Sequence, residues 1–318
     1  MSKLMGIFLI VLILAGCSDQ YTPNDQNNNP DALPQQSLES SQTAPADPSP
    51  VPSLPATAAP VSAYLETGKL QSTFGFADGE GKHILITRDD QGERNEMALL
   101  NTAIGDSGNV LSVKFEKWQG GNENNNGREL SSNFANLPGF LFTLEEGSAV
   151  PDETYYLTDR AEFNLQSLLL IEPAAVNQEP SAIEESVRSD IKAGKKREIK
   201  QIWKLAELSA DRQLYLVQFV RQGKDMLFSL VLKKGNGFTF KDYPAVIQDD
   251  ENSVWRVDDG GVVTPEMFSI LFAAETSKGL LLGLNWRGAE GVNTFFLKQE
   301  GDSFEEMDIQ YSRYTSPQ

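Results

Sequence analysis

The chain has 318 residues, 40% of them hydrophobic, with 45 acidic against 27 basic side chains and a formal net charge of −18. That apolar content can fill a core, which excludes a wholly disordered chain, and the acidity excludes a nucleic-acid partner, since phosphate binding needs a cationic face. A single cysteine and a single histidine exclude an internal disulfide, an all-Cys/His zinc cage and any mechanism that needs two histidines.

The first pattern along the chain is a short apolar run. Lys3 gives a positive start, and Leu4 to Leu14 is apolar throughout. It is too short to cross a hydrocarbon core of ~30 Å, which needs ~20 helical residues, and reads as an export signal over residues 1–16. It ends in Leu14-Ala15-Gly16-Cys17, and in this run the chain resembles the bacterial lipoproteins, whose lipobox has this sequence. The resemblance implies cleavage before Cys17, diacylglycerol on its thiol and acylation, for example by palmitate, of the new N-terminus. A thiol consumed in this way serves neither as nucleophile nor as metal ligand. Several acyl chains, at ~0.8 kcal/mol per buried methylene, hold a protein on a membrane. Ser18 rather than aspartate follows the cysteine, which by the same resemblance points to the outer membrane of a Gram-negative host, or otherwise to the outer face of the cell membrane. The bland alternative is a secreted or signal-anchored protein with a chance cysteine.

Residues 17–62 change composition abruptly, with Asn, Gln and Ser followed by Pro45, Pro48, Pro50, Pro52, Pro55 and Pro60. With almost nothing to bury, this stretch reads as a disordered tether of coil and polyproline II. A sharper alternative makes Ala44 to Pro55 a ligand for a proline-recognising or peptidoglycan-associated partner.

The remainder divides into a β-rich part, 63–180, and a helix-plus-meander part, 181–318. In the first, Thr73–Phe76, His83–Thr87, Val110–Trp118, Gly139–Leu144 and Thr154–Thr158 alternate apolar and polar residues between Gly, Asn and Asp punctuation, as strands do. Asp152–Leu170 offers a further short helix. The second part opens with a well-capped helix predicted at about 181–193. Ser181 and Glu184 form a capping box, Ile183, Val187 and Ile191 share one face, and Gly194 closes the end. Lys192, Lys195, Lys196 and Arg197 then make a basic cluster suited to a helix C-terminus. Two four-stranded antiparallel meanders follow, Ile199–Tyr243 and Met267–Ile309. The predicted class is α+β, mainly antiparallel β.

No motif for chemistry stands complete. His83 lies at a strand start without a Gly-x-Ser-x-Gly partner. Ser189-Asp-Ile-Lys192 copies a Ser-x-x-Lys pair but sits in the last helical turn. Gly79-Glu-Gly-Lys82 lacks the spacing and hydroxyl of a phosphate loop. Asn122–Gly127 imitates a calcium loop with amides in place of carboxylates. The acidic turns Asp249-Asp-Glu251 and Asp258-Asp259 are expected to be solvated, and no metal site or cofactor is implied. Paired carboxylates leave no sequence trace, so a glycan hydrolase with tryptophan platforms stays open as the alternative function. The richest local setting is Trp255-Arg256 beside the turn containing Asp258 and Asp259, an aromatic and a cation bordering a glycine-rich acidic loop. These four residues are the candidate ligand-binding set, and no catalytic residue is assigned. The expectation is a non-catalytic binding or assembly module of the cell envelope. It is held on the membrane through Cys17 and partnered by an envelope protein or peptidoglycan.

Overall fold

The structure, a computed structural model, describes residues 63–175, 183–248 and 252–316. The signal sequence, Cys17, the tether, the Ser181 cap and the acidic run 249–251 lie outside the described residues.

Six antiparallel strands, β1 (Phe74–Ala77), β2 (His83–Thr87), β3 (Thr102–Gly105), β4 (Asn109–Gln119), β5 (Gly139–Leu144) and β6 (Thr154–Thr158), form a closed barrel in the order β1-β2-β5-β4-β3-β6. Closure leaves no edge among these strands. Inside it pack Ile84, Ile86, Phe140, Phe142, Tyr155 and Leu157. Phe76, Leu85 and Leu141 point outward and are covered by Phe134 and Leu137, of and next to the 3-10 turn Ser131–Asn136. Two glycines allow close passage of neighbouring backbone. A Cβ on Gly139 would stand 2.4 Å from the Ile86 carbonyl oxygen, and one on Gly75 2.7 Å from that of Leu85.

Nine strands make the second sheet: β7 (Ile171–Pro173), β8 (Ile199–Leu208), β9 (Arg212–Phe219), β10 (Asp225–Lys234), β11 (Gly237–Val246), β12 (Phe268–Thr276), β13 (Gly279–Arg287), β14 (Gly291–Glu300) and β15 (Ser303–Tyr314). Their order is β12-β13-β14-β15-β11-β10-β9-β8-β7, so the two predicted meanders stand side by side, joined by one parallel pair, Phe240 with Ser303. The segment Leu168–Pro173 draws the far edges together. Leu168 bridges Ala274, the Leu169 N–H donates to the Ala273 carbonyl, and β7 pairs with β8. The curled sheet encloses Leu216, Phe228, Leu230, Leu282, Leu284 and Phe295.

Burial explains the sequence patterns. In β13, Leu280 to Trp286 is buried on both faces, one on the sheet's own core and the other on the barrel through Phe74, Ile104 and Tyr156. A two-sided strand reads as a continuous apolar run, whereas β15, open on one face, alternates.

The helix α1 is a single turn, Arg94–Met97, and α2 spans Glu185–Lys195. Val187 and Ile191 of α2 pack on Ile202, Tyr215, Val217 and Val231 on the outer face of the first meander. Its ends differ from the sequence expectation. Gly194 lies inside the helix, and Lys196 (φ 51°) takes the left-handed cap, while the N-cap Glu184 makes no side-chain capping bond. Between 152 and 170 the one helical element is a 3-10 turn, Leu165–Ser167, capped by Asn164.

Candidate functional site

Three of the four cations at the end of α2 are satisfied within the fold, and the fourth, Lys196, is exposed. Lys192 pairs with Glu198 at 2.7 Å, Lys195 pairs with Asp242 at 2.6 Å over the Phe240 ring, and Arg197 donates to the Val220 and Asp225 carbonyls. Lys192 is thus drawn away from any role as base for exposed Ser189. The calcium-like loop is occupied in the same manner. Asn122, Asn125 and Asn126 accept backbone N–H bonds from Asn124, Gly127 and Arg128, and buried Asn133 donates to Asn125 and the Arg128 carbonyl. Such side-chain-to-backbone bonds are the ordinary work of asparagine in a loop. Among the described residues no group of three acidic, His or Cys side chains is arranged to hold a metal ion.

His83 stands at the start of β2 with Nδ1 2.7 Å from Asp78 Oδ2, and Glu116 lies 4.0 Å from its Nε2. Burial alone would raise the Asp78 pKa. The bonds it accepts from His83 and from the Lys82 and His83 backbone outweigh burial and hold the carboxyl below its ordinary value. Glu116 is likewise held low, chiefly by the Thr143 hydroxyl donating at 2.7 Å. Elsewhere, Glu66 and Glu162 flank a shallow cleft, and Lys69 bridges them at 3.6 and 3.0 Å.

The tryptophans divide by role. Trp118 packs edge-on against Phe140, and Trp286 is a core residue stacked on Phe268. Trp203 borders an apolar groove of about 340 Å³ between β8 and β12, with Pro173, Leu205, Phe268 and Ile270.

Trp255 and Arg256 do line a cleft. It measures about 480 Å³, within the range of small-molecule sites, and lies at the end of the second sheet between Ser253–Val257, the turn Ala289–Gly291 and the strand ends Asn293 and Ser312–Tyr314. The lining loop is shaped by Asp259. One carboxylate accepts the N–H groups of Val254 (2.8 Å), Trp255 (2.7 Å), Arg256 (2.8 Å) and Gly261 (2.9 Å), which forces 254–261 into a tight arch. The arch directs the Trp255 indole inward, edge-on to Phe228 with Nε1 donating to the Tyr243 carbonyl at 3.0 Å. Arg256 lies over the Trp286 ring at 5.6 Å and donates from Nη2 to the Gly291 carbonyl at 3.0 Å. Burial pulls the Arg256 pKa below its usual value against the attraction of Glu290 and Asp259. Asp258 (φ 57°) takes the left-handed turn position and is exposed.

Of the four sequence candidates, Trp255 and Arg256 therefore border the cleft, while Asp259 builds its wall and Asp258 sits outside. Sequence reasoning missed Asn293, Ser312 and Tyr314, which come from strand ends about 35 to 60 residues further on. Register brings them in. Trp286, Asn293 and Ser312 are direct cross-strand partners, so their side chains share a face and continue the Trp286 row outward. The only sequence hint was the turn Gly288-Ala-Glu-Gly291 that joins β13 to β14.

The fold defines the class: a mainly antiparallel β protein in which a six-stranded barrel is packed against a curled nine-stranded sheet. No family model matches the chain, and neither the curated proteins nor the solved structures contain a match to it.

Proposed function

We propose that the protein is a cell-envelope lipoprotein. Its β-rich body is a non-catalytic binding or assembly module, carried on the membrane by lipid at Cys17 and a proline-rich tether. The anchor is supported by the position of the chain's sole cysteine, at the end of the apolar leader in Leu14-Ala15-Gly16-Cys17. Binding is supported by the cleft at Trp255 and Arg256, a concave, half-apolar site with converging polar side chains. Among the described residues its one carboxylate side chain, Glu290, stands exposed on the rim. That is a setting for recognition.

Two experiments address the two halves. Cys17→Ser is expected to release the protein from membranes and abolish labelling by a fatty-acid analogue; retention on the membrane would refute the anchor. A photo-crosslinking residue in place of Tyr314, 49% exposed at the cleft rim, is expected to capture an envelope component in intact cells. Capture of nothing above a control position would refute the binding role.

A further inference from the structure

We propose that the cleft takes a ligand that presents a carboxylate to Arg256 and lays an apolar portion against Val254, Val257 and Tyr314. The inference rests on the binding role proposed above and adds the chemistry of the ligand. Arginine carries five N–H donors in a fixed fork matched to carboxylate. Arg256 gives one of them to the Gly291 carbonyl, and no carboxylate of the described residues comes within ion-pair distance of it, Glu290 and Asp259 attracting it without direct contact. Elsewhere among the described residues several cations already have a carboxylate partner: Arg212 bonds Glu275, Arg287 bonds Glu153 and Lys298 bonds Glu300. Burial has already taken much of the guanidinium's water, so an anionic oxygen meets a partly desolvated partner where the interaction is strongest.

Beside the fork, the side chains of Asn293 and Ser312 make no hydrogen bond within the described residues and complete a polar row. Arg313, although in the lining, sends its guanidinium the other way, over the Phe76 ring of the barrel and onto the Glu129 and Asp152 carbonyls. Among the described residues Arg256 is thus the cation that faces this cleft. Val257 (45% exposed) and Tyr314 (49%) supply apolar surface in the same lining, more than a compact inorganic anion would use.

The test uses the full chain carrying Cys17→Ser, with binding followed by calorimetry. Probes are N-acetyl-Ala-Ala-Phe as free acid, its C-terminal amide, glucuronic acid and inorganic phosphate. Saturable binding of the peptide acid, weakened about tenfold in its amide and about tenfold by Arg256→Gln, is expected for a peptide-terminal carboxylate. The same dependence on Arg256 with glucuronic acid instead assigns the carboxylate to a sugar. Arg256→Lys keeps the charge but loses the fork and should fall between, and Glu290→Gln, which removes a competing carboxylate, should tighten binding. Equal binding of acid and amide, phosphate competing as well as the peptide acid, or no saturable binding by either carboxylate probe would each overturn the proposal. Crosslinked capture at Tyr314 that is indifferent to Arg256→Gln would overturn it while leaving the binding role standing.

Discussion

Asp259 does more for the cleft than any residue that faces it. Its carboxylate is the common acceptor of four backbone N–H groups that a loop cannot otherwise satisfy. Asp259→Ala should cost about 2 kcal/mol, the scale of hydrogen bonds to a charged group, and blue- or red-shift Trp255 emission as the indole leaves Phe228. Urea denaturation checks the first and fluorescence the second; an unchanged midpoint and spectrum would show that the arch holds itself. Asp78 makes a pH prediction. Its folded pKa is below its ordinary value of 3.8, so the stability it contributes is present above that value and is lost as pH falls through the lowered one. Asp78→Asn should therefore give a flatter stability curve than wild type below pH 3.8, with the two curves converging in acid. Parallel curves would contradict the Asp78–His83 contact. At this scale Trp255 and Arg256 were legible because an aromatic and a cation sat in one glycine-rich turn. The structural task of Asp259 was not, since a capping carboxylate and a solvated one look alike in sequence.

Strands were legible as apolar-rich runs bounded by turn residues, at half-wet and at fully buried positions alike. β2, β5 and β6 fall on the predicted ranges, although β6 is buried throughout, and all eight strands of the two meanders were legible from such runs and their turns. β3 and β7 were not legible, because Thr102–Gly105 and Ile171–Pro173 are too short to show a period and are strands only through their neighbours, β4 and β6 for the one and β8 for the other. The closed barrel was hidden for the same reason, since β3 joins β4 to β6 and so completes the ring. The α2 face was legible, its caps less so: a lysine rather than the nearby glycine takes the left-handed position. Ile191, on the packed face of α2, is fully buried, so Ile191→Ala should cost about 3 kcal/mol through its cavity. It should leave Arg256-dependent ligand binding unchanged, because α2 covers the opposite face of the sheet's first meander. A loss under 1 kcal/mol by chemical denaturation would mean that α2 is not docked.

At the scale of the whole molecule, barrel and sheet share one aromatic seam. Phe74 and Tyr156 of the barrel meet Phe272 and Phe296 of the sheet with ring centroids 5.2 to 6.0 Å apart. Beyond the seam, Glu129 accepts from Tyr311 at 2.6 Å and from Thr87. Burying Phe296 on both bodies couples their unfolding, so a single thermal transition is expected. Phe296→Ala, costing about 3–5 kcal/mol, should split or sharply lower it. Two separate transitions in the wild type, by calorimetry, would contradict this coupling. Sequence periodicity cannot show such a seam, since it records that a strand is buried and not what buries it. The account stands or falls on the compartment. Intact-mass analysis of protein extracted from its native membrane should find the first 16 residues gone and the new terminal cysteine carrying diacylglycerol and acyl mass; a full-length chain with a free thiol would contradict it.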